Sequence, residues 1–443
     1  MELHKKKLCQ IYFFLKILFL ALMSFQCYPL ITLGQGNFNV YFGNLHSHTS
    51  NSDGTGEPAD AYYYARFTAG LDFLAVTDHL EQIGNIPLID PEWSDCQNAA
   101  NNATVNGTFV GIAGWEWGSP LHGHVNVFNT ADIIDDVGNL WYTTDLPGFY
   151  NWVLNHSPAF AQFNHPGEET YFTNWNSFDY VSTAQDNVFP LLEFQSVAQA
   201  TSFYELSLNN GWHLSPVWNQ DNHSADWGTK NDCRAGIWAT TLSRPALFEA
   251  IMAGRTFATM DKNASIWIDL NNTAMGSQTT MQAAMPLHIR LADNNTESWI
   301  SIELVTSNGV MMNLGPHTGN LDTTLTIDVS ASNWIFVRAL QADSNYLWSA
   351  PVYITAPLTS LEEANQNNDY LIYPNPATTF LTCVAGEGLH HLTIYDLCGR
   401  IHHSGVFHKN TRIDLRMFPA GVYLVKLQTA GETMVKKIVV QPE

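Results

Sequence analysis

Histidine and carboxylate residues follow apolar runs in the first half of the sequence. The stretch FGNLHSHTSNSDG, residues 42–54, places His46 and His48 two residues apart, with Asp53 five residues beyond His48. On a strand, residues i and i+2 point to the same side, so the two imidazoles can face one point. This is a metal-ligand arrangement, although one isolated H-x-H more often marks a solvated strand end.

The same combination recurs after later apolar runs. Each instance alone has a structural explanation, since a histidine can cap a helix and a glutamate can lie in a solvated loop. Six such instances in order are hard to explain as independent accidents, so the sequence predicts a metal centre. The candidate ligands are His46, His48, Asp53, His79, Glu116, His124, His165, Asp221 and His223.

The size of this set predicts the number and kind of metals. Nine ligands exceed the need of one tetrahedral ion, so we expect two or three divalent ions with a carboxylate such as Glu116 bridging. Imidazoles and carboxylates suit zinc, manganese or iron. Two such ions can generate a bridging hydroxide that attacks phosphorus. The predicted function is a metal-dependent hydrolase, and we favour a phosphoesterase that acts on small phosphate esters.

Short apolar runs and helix-like segments alternate between residues 37 and 260. The helix-like segments include EPADAYYYARFTAG, which stops at Gly70, and RPALFEAIMAG, with Pro245 near its start and Gly254 at its end. The alternation favours a parallel sheet, and about seven units favour an α/β barrel with its site at the carboxyl ends of the strands. The strand candidates are DFLAVT, TFVGIAG, HVNVF, AQFN, PLLEF, SPVWN and GIWATT.

The character of the sequence changes after the barrel segment. Residues 262–356 show alternating strands with turn residues and no clear helix, which predicts a β-sandwich. Residues 357–369 are polar and read as a linker, and residues 370–443 again show short strands, which predicts a small all-β domain. Residues 1–34 combine lysines with a short apolar run, which predicts a cleaved signal peptide and no transmembrane segment in the mature chain.

Charge and cysteine content narrow the possible partners. The formal net charge of −22 becomes −25 once residues 1–34 are removed. Only five lysines and arginines fall between residues 37 and 260, so a long nucleic-acid partner is not expected. Export permits a disulfide between Cys96 and Cys233, but their spacing does not favour one.

Six segments together resemble a known superfamily. NLHSHTSNSDG, GLDFLAVTDH, GWEW, GHVNVF, NHPG and DNH, in this order and spacing, look like the polymerase and histidinol phosphatase (PHP) superfamily over residues 38–260. The resemblance implies a distorted (β/α)7 barrel with a two- or three-metal site. GWEW with GHVNVF, and the later ALFEAIMAGRTFAT, are more similar to the secreted, carbaryl-hydrolase-like branch than to the polymerase or histidinol-phosphate branches.

Carried over residue by residue, the resemblance implies three ligand sets. The first set, which also supplies the predicted catalytic residues, is His46, His48, Glu116 and Asp221. The second set is Glu116, His124 and His165, and the third is Asp53, His79 and His223. His122 departs from the pattern and could be a substrate-facing acid or a loop residue.

The C-terminal segment resembles a second family. YPNPATTFLTC, IYDLCGR and FPAGVYLVKL, followed by KKIVVQ, look like the sorting domain read by the type IX secretion system of Bacteroidota. The resemblance implies export through the periplasm, a secreted or cell-surface location, and the type IX machinery as a partner. A small structural β-domain is the alternative.

Two other functions and several supporting roles remain open. The same hydroxide could attack the carbonyl carbon of a carboxylic or carbamic ester, and a non-catalytic surface protein could keep metals for structure and bind glycans. Asp78 or Asp72 could orient His79, although Asp78 could equally cap a turn. Arg234 or Arg255 could bind phosphate, although Arg255 is more consistent with fastening a helix end.

Overall fold

The computed structural model describes residues 38–80, 90–134, 145–295, 297–356, 371–396, 400–428 and 433–441. The chain divides into two compact units, residues 1–355 and 356–443. The predicted signal peptide and the predicted linker lie outside the described residues. Within the described ranges, no helix is both long enough and apolar enough to cross a bilayer.

Nine short strands form the barrel of the first unit within its described residues. Every residue of β2, β5, β6 and β7 is buried, as expected for strands covered on both faces. The strands are β1 (Asn39–Asn44), β2 (Phe73–Val76), β3 (Val110–Ser119), β4 (Gly123–Phe128), β5 (Phe160–Phe163), β6 (Leu191–Phe194), β7 (Ser215–Trp218), β8 (Arg234–Ala239) and β9 (Thr256–Thr259).

The barrel mixes parallel and antiparallel pairing. The strand order is β9-β8-β1-β2-β3-β4-β5-β6-β7, and the Thr256 hydroxyl of β9 donates to the carbonyl of Pro216 in β7 at 3.0 Å. Strands β1–β3 and β5–β7 run parallel, whereas β4, β8 and β9 pair antiparallel with their neighbours. The alternation of segments favoured a parallel sheet, but the turn joining β3 to β4 is too short for a crossover helix.

Six helices surround these strands in the described part of the unit. They are α1 (Pro58–Tyr64), α2 (Asp90–Ala103), α3 (Leu146–Asn155), α4 (Thr183–Asp186), α5 (Val197–Asn209) and α6 (Arg244–Met252). A π-helical turn, Ala65–Ala69, extends α1 and ends at Gly70, whose φ of 70° is left-handed. The predicted stop at Gly70 therefore uses the conformation that glycine adopts without steric penalty.

A β-sandwich completes the first unit. One sheet has the order β11-β10-β13-β16, and the other contains β12, β14, β15, β17, β18 and β19 and joins the barrel through antiparallel pairing of β18 with β9. The strands are β10 (Ala264–Leu270), β11 (Thr273–Ala274), β12 (Gln278–Thr280), β13 (Met285–Asp293), β14 (Trp299–Thr306), β15 (Gly309–Asn313), β16 (Leu321–Ile327), β17 (Trp334–Gln341), β18 (Tyr346–Ser349) and β19 (Val352–Thr355).

The second unit is an antiparallel sheet with its own core. Its strands are β20 (Leu371–Tyr373), β21 (Phe380–Asp396), β22 (Ile401–Asp414), β23 (Gly421–Gln428) and β24 (Thr433–Val440), and β22 pairs with β21 outside the order β20-β21-β23-β24. Leu381, Ile394, Val425 and Ile438 are among the buried residues of this core. The predicted fold class, an α/β barrel followed by two all-β parts, is confirmed.

A half-buried carboxylate at the start of β2 gives a stability prediction. Asp72 directly precedes β2, and its Oδ2 accepts the backbone N–H of Phe42 at 2.8 Å. Burial raises the pKa of Asp72 to about 6, which outweighs that hydrogen bond. Because the folded-state pKa lies above the unfolded value, stability falls as pH rises from about 4 through 6, by up to about 3 kcal/mol.

Asp72→Asn should therefore raise the melting temperature at pH 8 and change it little at pH 4. The amide keeps an acceptor for Phe42 N–H and removes the partly desolvated charge. Thermal unfolding of both proteins at the two pH values measures the difference. An equal melting temperature at pH 8 would contradict a cost of ionisation at this position.

Candidate metal centre

The loop after β1 lies between two other chain segments that extend the sheet. Thr77 N–H donates to the carbonyl of Ser47 at 2.8 Å on one side, and His48 N–H donates to the carbonyl of Asn222 at 2.8 Å on the other. Ladder-like pairing on both sides fixes residues 46–48 in an extended conformation. The imidazoles of His46 and His48 therefore point to one face, as the sequence spacing predicted.

Glu116 is fully buried in the middle of the cluster. Its Oε1 lies 3.3 Å from Nδ1 of His124 and 3.5 Å from Nε2 of His165. Its Oε2 lies 3.1 to 3.3 Å from ring nitrogens of three other imidazoles, those of His46, His48 and His79. The two oxygens of one carboxylate thus face two separate groups of imidazoles.

Asp221 closes the group around the first two histidines. The Nε2 atoms of His46 and His48 are 3.1 Å apart. Oδ1 of Asp221 lies 3.0 Å from Nε2 of His48 and 3.4 Å from Nε2 of His46. Asp221 and His165 both have positive φ, 46° and 29°, so the chain holds two candidate ligands in a conformation that non-glycine residues rarely adopt.

The third group lies on the side of the cluster that is open to solvent. Oδ1 of Asp53 lies 3.3 Å from Nε2 of His223 and 3.9 Å from both Nε2 of His79 and Nδ1 of His48. The side chains of Asp53 and His223 are 27% and 39% exposed, whereas those of His46 and Glu116 are fully buried. A small substrate can therefore reach the cluster from the Asp53 side.

The side chains fit divalent cations. In each group the potential ligand atoms lie within 4.8 Å of one another. Glu116 Oε2 and Asp221 Oδ1 are buried, yet neither makes a hydrogen bond of good geometry to any residue in the described ranges. Buried carboxylate oxygens that face ring nitrogens without aligned hydrogen bonds are expected where a cation lies between them. The groups are His48–Asp53–His79–His223, His46–His48–Asp221, His46–Glu116–His165 and His79–Glu116–His124.

The pKa shifts of Glu116 and His46 indicate the charge that the cluster requires. Burial disfavours ionised Glu116, but the neighbouring imidazoles of His46, His79 and His124 outweigh it and hold its pKa well below the usual range. Burial likewise disfavours protonated His46, but Glu193, Glu116 and Asp221 together raise its pKa well above the usual value. The cluster therefore holds positive charge, which protons supply when metals do not.

Glu193, near the carboxyl end of β6, is a candidate site residue that the sequence analysis missed. Its Oε1 lies 2.9 Å from Nδ1 of His46, and its Oε2 accepts the backbone N–H of His165 at 3.0 Å. A carboxylate on the far nitrogen of a ligating imidazole fixes the tautomer that presents Nε2 to a metal. The signal was available in PLLEF, because its glutamate occupies a strand end like the other candidates.

Glu193→Gln should lower metal affinity about 10- to 100-fold, because it weakens the hold on the His46 ring. Metal content after dialysis against a competing chelator measures the loss. Asp186→Asn is the matched control, since Asp186 makes the same contact with Nδ1 of His213 at 2.7 Å but precedes β6. Equal metal retention in wild type and Glu193→Gln would contradict the role.

Two further supporting residues were missed, and both contact the second ligand group. Asn164 Nδ2 donates to Oε1 of Glu116 at 2.7 Å. Oε2 of Glu168 lies 2.8 Å from Nδ1 of His165. Asn164 begins the NHPG segment and Glu168 directly follows it, but only His165 of that segment was taken as a candidate ligand, since an amide and an exposed loop acid are common after any strand.

The carboxylates suggested as supports for His79 have other contacts. Asp78 accepts hydrogen bonds from the backbone N–H of Thr49 and from the hydroxyls of Thr49 and Ser52, each at 2.7 Å. It therefore holds the loop that carries Asp53. Asp72 accepts from β1, as described above.

The arginines suggested for phosphate binding are engaged elsewhere. The Arg234 guanidinium donates to the carbonyls of Gly228, Asn231 and Cys233. Arg255 pairs with Glu249 of α6, so it fastens a helix, as expected. These contacts give neither arginine a direct role at the metal centre.

His122 is 5% exposed, and its Nδ1 lies 2.9 Å from the Thr173 hydroxyl. These observations favour the loop role over a substrate-facing acid. Cys96 and Cys233 are both buried and free, so the disfavoured disulfide is not formed.

A left-handed turn, residues 174–178, borders the second ligand group. Five successive non-glycine residues have φ between 47° and 60°. The Trp175 ring is buried, and its backbone N–H donates to the carbonyl of His122 at 3.0 Å. Phe172, just before the turn, has its ring centroid 5.5 Å from that of His124. The turn thus places an aromatic wall beside the metal centre.

Residues 371–441 match the family model of the secretion system C-terminal sorting domain. The matched range includes all five strands β20–β24, and it confirms the predicted sorting domain at the end of the chain. No curated protein matches the chain.

Three solved structures resemble parts of the chain at low identity. A two-domain protein containing predicted PHP-like metal-dependent phosphoesterase, from Bacteroides vulgatus ATCC 8482, is 15% identical and covers 72% of this chain and 95% of its own, with a TM-score of 0.42. The human OSCAR ligand-binding domain and the Clostridium thermocellum CbhA fibronectin(III)-like modules are each 12% identical and cover 40% of this chain and 95% and 94% of their own, with TM-scores of 0.16 and 0.17. At these values the likenesses say nothing about function.

Proposed function

We propose that the chain is an exported metal-dependent hydrolase that acts on small phosphate esters. The observation that carries the proposal is the position of Glu116, whose two oxygens face separate groups of imidazoles 3.1 to 3.5 Å away. One carboxylate between two sets of neutral nitrogen ligands is the arrangement by which proteins hold two cations a few ångströms apart.

The proposed ligand sets follow the three groups of side chains. The first cation would be held by His46, His48, Glu116 and Asp221, the second by Glu116, His124 and His165, and the third by Asp53, His79 and His223. Zinc, manganese or iron would suit these ligands. Bound there, such ions supply a hydroxide nucleophile near neutral pH and neutralise charge that develops on the substrate.

Neighbouring side chains of the chain hold the candidate ligands in position and exclude water from them. Glu193 fixes the ring of His46, and Asn164 fixes one oxygen of Glu116. Burial of His46 and Glu116 excludes bulk water from the inner side, so solvent and substrate would reach the cluster beside Asp53 and His223. Gln195 Nε2 lies 3.4 Å from Oδ2 of Asp221, which holds that carboxylate toward the histidines.

The positions of the basic residues favour a second candidate, hydrolysis of a carboxylic or carbamic ester. Arg66 lies over the ring of Phe67, and Arg244 donates to the carbonyl of Gly111. Arg255 pairs with Glu249. Lys230 Nζ, which is nearer the centre, donates to the carbonyls of Gln220 and Asp221. A site with few available basic side chains binds a neutral ester more readily than a phosphate dianion.

The test is elemental analysis of the purified mature protein together with hydrolysis of aryl phosphates, phosphodiesters, carboxylic esters and carbamates. Two or three metals per chain and turnover that His48→Ala abolishes would support the hydrolase, and the preferred member of the panel would decide between phosphorus and carbon. Bound metal without turnover on any ester would favour the non-catalytic, glycan-binding alternative. Absence of metal would refute the metal centre.

We also propose that the hydrolase works at the cell surface or outside the cell. The sorting-domain match at residues 371–441 supports export through a dedicated secretion system, which we take to be type IX. Passage through the periplasm would follow from a signal peptide at residues 1–34. A strain lacking that secretion system should retain the protein in the periplasm, as fractionation would measure.

A further inference from the structure

Three buried amide side chains lie in the barrel next to the metal centre. Gln162 belongs to β5, Asn164 follows β5, and Asn219 follows β7. Each of the three residues is at most 1% exposed. Barrel interiors are normally filled by branched apolar side chains, because a buried amide costs free energy unless hydrogen bonds compensate for the lost water. The three amides therefore need an explanation beyond filling space.

The amides form one continuous chain of hydrogen bonds, which we call the amide relay. The backbone N–H of Leu45, directly after β1, donates to Oδ1 of Asn219 at 2.7 Å. Nδ2 of Asn219 donates to Oε1 of Gln162 at 3.2 Å, and Nε2 of Gln162 donates to Oδ1 of Asn164 at 2.8 Å. Nδ2 of Asn164 donates to Oε1 of Glu116 at 2.7 Å. Because β5 and β7 are not neighbours in the sheet, the relay crosses the barrel before it reaches β3.

The direction of the relay is fixed at its first bond. A backbone N–H can only donate, so the atom of Asn219 that faces Leu45 must be its oxygen. The amide nitrogen of Asn219 then points to Gln162, and the same choice passes from Gln162 to Asn164. Asn164 must therefore present an N–H to Glu116, whose carboxylate oxygen is an acceptor.

The oxygen of Glu116 that Asn164 contacts is the one that faces the second ligand group. This Oε1 lies 3.3 Å from Nδ1 of His124 and 3.5 Å from Nε2 of His165. The terminal torsion of a glutamate side chain is otherwise broad, so the hydrogen bond from Asn164 limits its rotation. A carboxylate that bridges two cations needs both oxygens in fixed positions.

We propose that Gln162 and Asn219 are positioning residues for the metal centre, which act on Glu116 through Asn164. The inference rests on the proposed function, because that function makes Glu116 the bridging ligand. The relay holds the Asn164 amide with its nitrogen, rather than its oxygen, toward the carboxylate. Without the relay this amide would be free to turn over, and two acceptor oxygens would then face each other.

The test measures the zinc affinity of the full chain by competition with a chelator. Gln162→Met keeps the length of the side chain and removes both hydrogen bonds, so zinc should bind about 10-fold more weakly at one site. Asn164→Leu, which removes the bond to Glu116 itself, should weaken zinc binding about 10- to 100-fold. The matched control is Gln341→Met, since Gln341 is an equally buried amide in β17 of the sandwich, and it should leave zinc affinity unchanged.

The double variant Gln162→Met/Asn164→Leu separates positioning from general damage to the fold. If Gln162 acts through Asn164, its loss has no further effect once Asn164 is gone, so the double variant should match Asn164→Leu within about 2-fold. Two independent effects would multiply instead. Gln162→Leu offers a second apolar shape at this position in case the methionine variant does not fold.

The visible spectrum of the cobalt(II)-loaded protein gives a second readout. Its absorption bands depend on the geometry of the ligands, so they should shift in Gln162→Met and stay unchanged in Gln341→Met. A merely structural amide in the barrel would lower the melting temperature without moving these bands.

Three results would overturn the relay. Zinc affinity equal to that of wild type in Gln162→Met, or a double variant that binds zinc about 10-fold more weakly than Asn164→Leu, would refute the relay and leave the metal centre in place. Absence of zinc binding in wild type would refute the metal centre and the relay together. Because no readout is turnover of an ester, the relay can fail while the proposed hydrolase stands.

Discussion

Glu116→Gln should lower kcat/KM of the proposed hydrolase by at least about 1,000-fold and remove at least one metal ion per chain. The glutamine keeps the shape of the side chain but offers a neutral amide. Its nitrogen would then face imidazoles that Oε1 or Oε2 of Glu116 faces now. Steady-state kinetics on the preferred ester and elemental analysis of the same preparation measure both effects.

Asp72→Asn is the matched control for this substitution. It also removes one carboxylate charge from the barrel, but Asp72 is half-buried, precedes β2 and contacts Phe42. We expect it to keep full metal content and full activity. Normal turnover in Glu116→Gln would show that the carboxylate does not bridge cations, whatever the activity of the control.

Removing the transition metals should abolish hydrolysis and lower the melting temperature substantially. A ligand that binds only the folded state at 1,000 times its Kd stabilises it by about 4 kcal/mol per site. The effect should be large because Glu116, Asp221 and Glu193 are carboxylates gathered around buried imidazoles. Treatment with a chelator selective for transition metals, followed by thermal unfolding and an ester assay, measures both losses.

The fall in melting temperature on metal removal should grow as the pH rises. Without metal, the pKa values of His46 and His165 are raised by the surrounding carboxylates despite their burial. Protonation then contributes stability that is present below pH 6.5 and is lost as pH rises through the folded-state values. The metal-free protein should therefore weaken from pH 6 to pH 8, whereas the metal-loaded protein gains metal affinity over that range.

The difference between the two melting temperatures should thus widen as the pH rises, and ester hydrolysis should fall in acid. A constant difference between pH 6 and pH 8 would contradict competition between protons and metals at these histidines. Readdition of zinc or manganese to the stripped protein should restore both activity and melting temperature.

Most of the candidate ligands could be predicted from sequence because they lie at or near the ends of apolar runs, as His79 follows β2 and His124 begins β4. His46 and His48 show their common face through spacing alone, and the structure brings all nine predicted side chains into one cluster. Their roles as ligands remain a prediction. Glu193 was overlooked although PLLEF places a glutamate at a strand end, because its contact with His46 depends on the distance from β6 to β1 across the barrel, which local spacing does not encode.

The positions of the barrel strands could be predicted from sequence, but the directions in which they pair could not. Each predicted barrel segment, from DFLAVT to GIWATT, contains a strand in the structure. The direction of β4 depends on the short turn after Ser119, and hydrophobic pattern does not report direction.

The left-handed turn at residues 174–178 has a consequence for the order of folding. A left-handed conformation disfavours each non-glycine residue by about 1–2 kcal/mol, so this segment would not adopt it as a free peptide. The carbonyl of His122 and the pocket for the Trp175 ring must exist before the turn gains any stability. We therefore expect the aromatic wall to form late in folding, after β4 and β5 have paired.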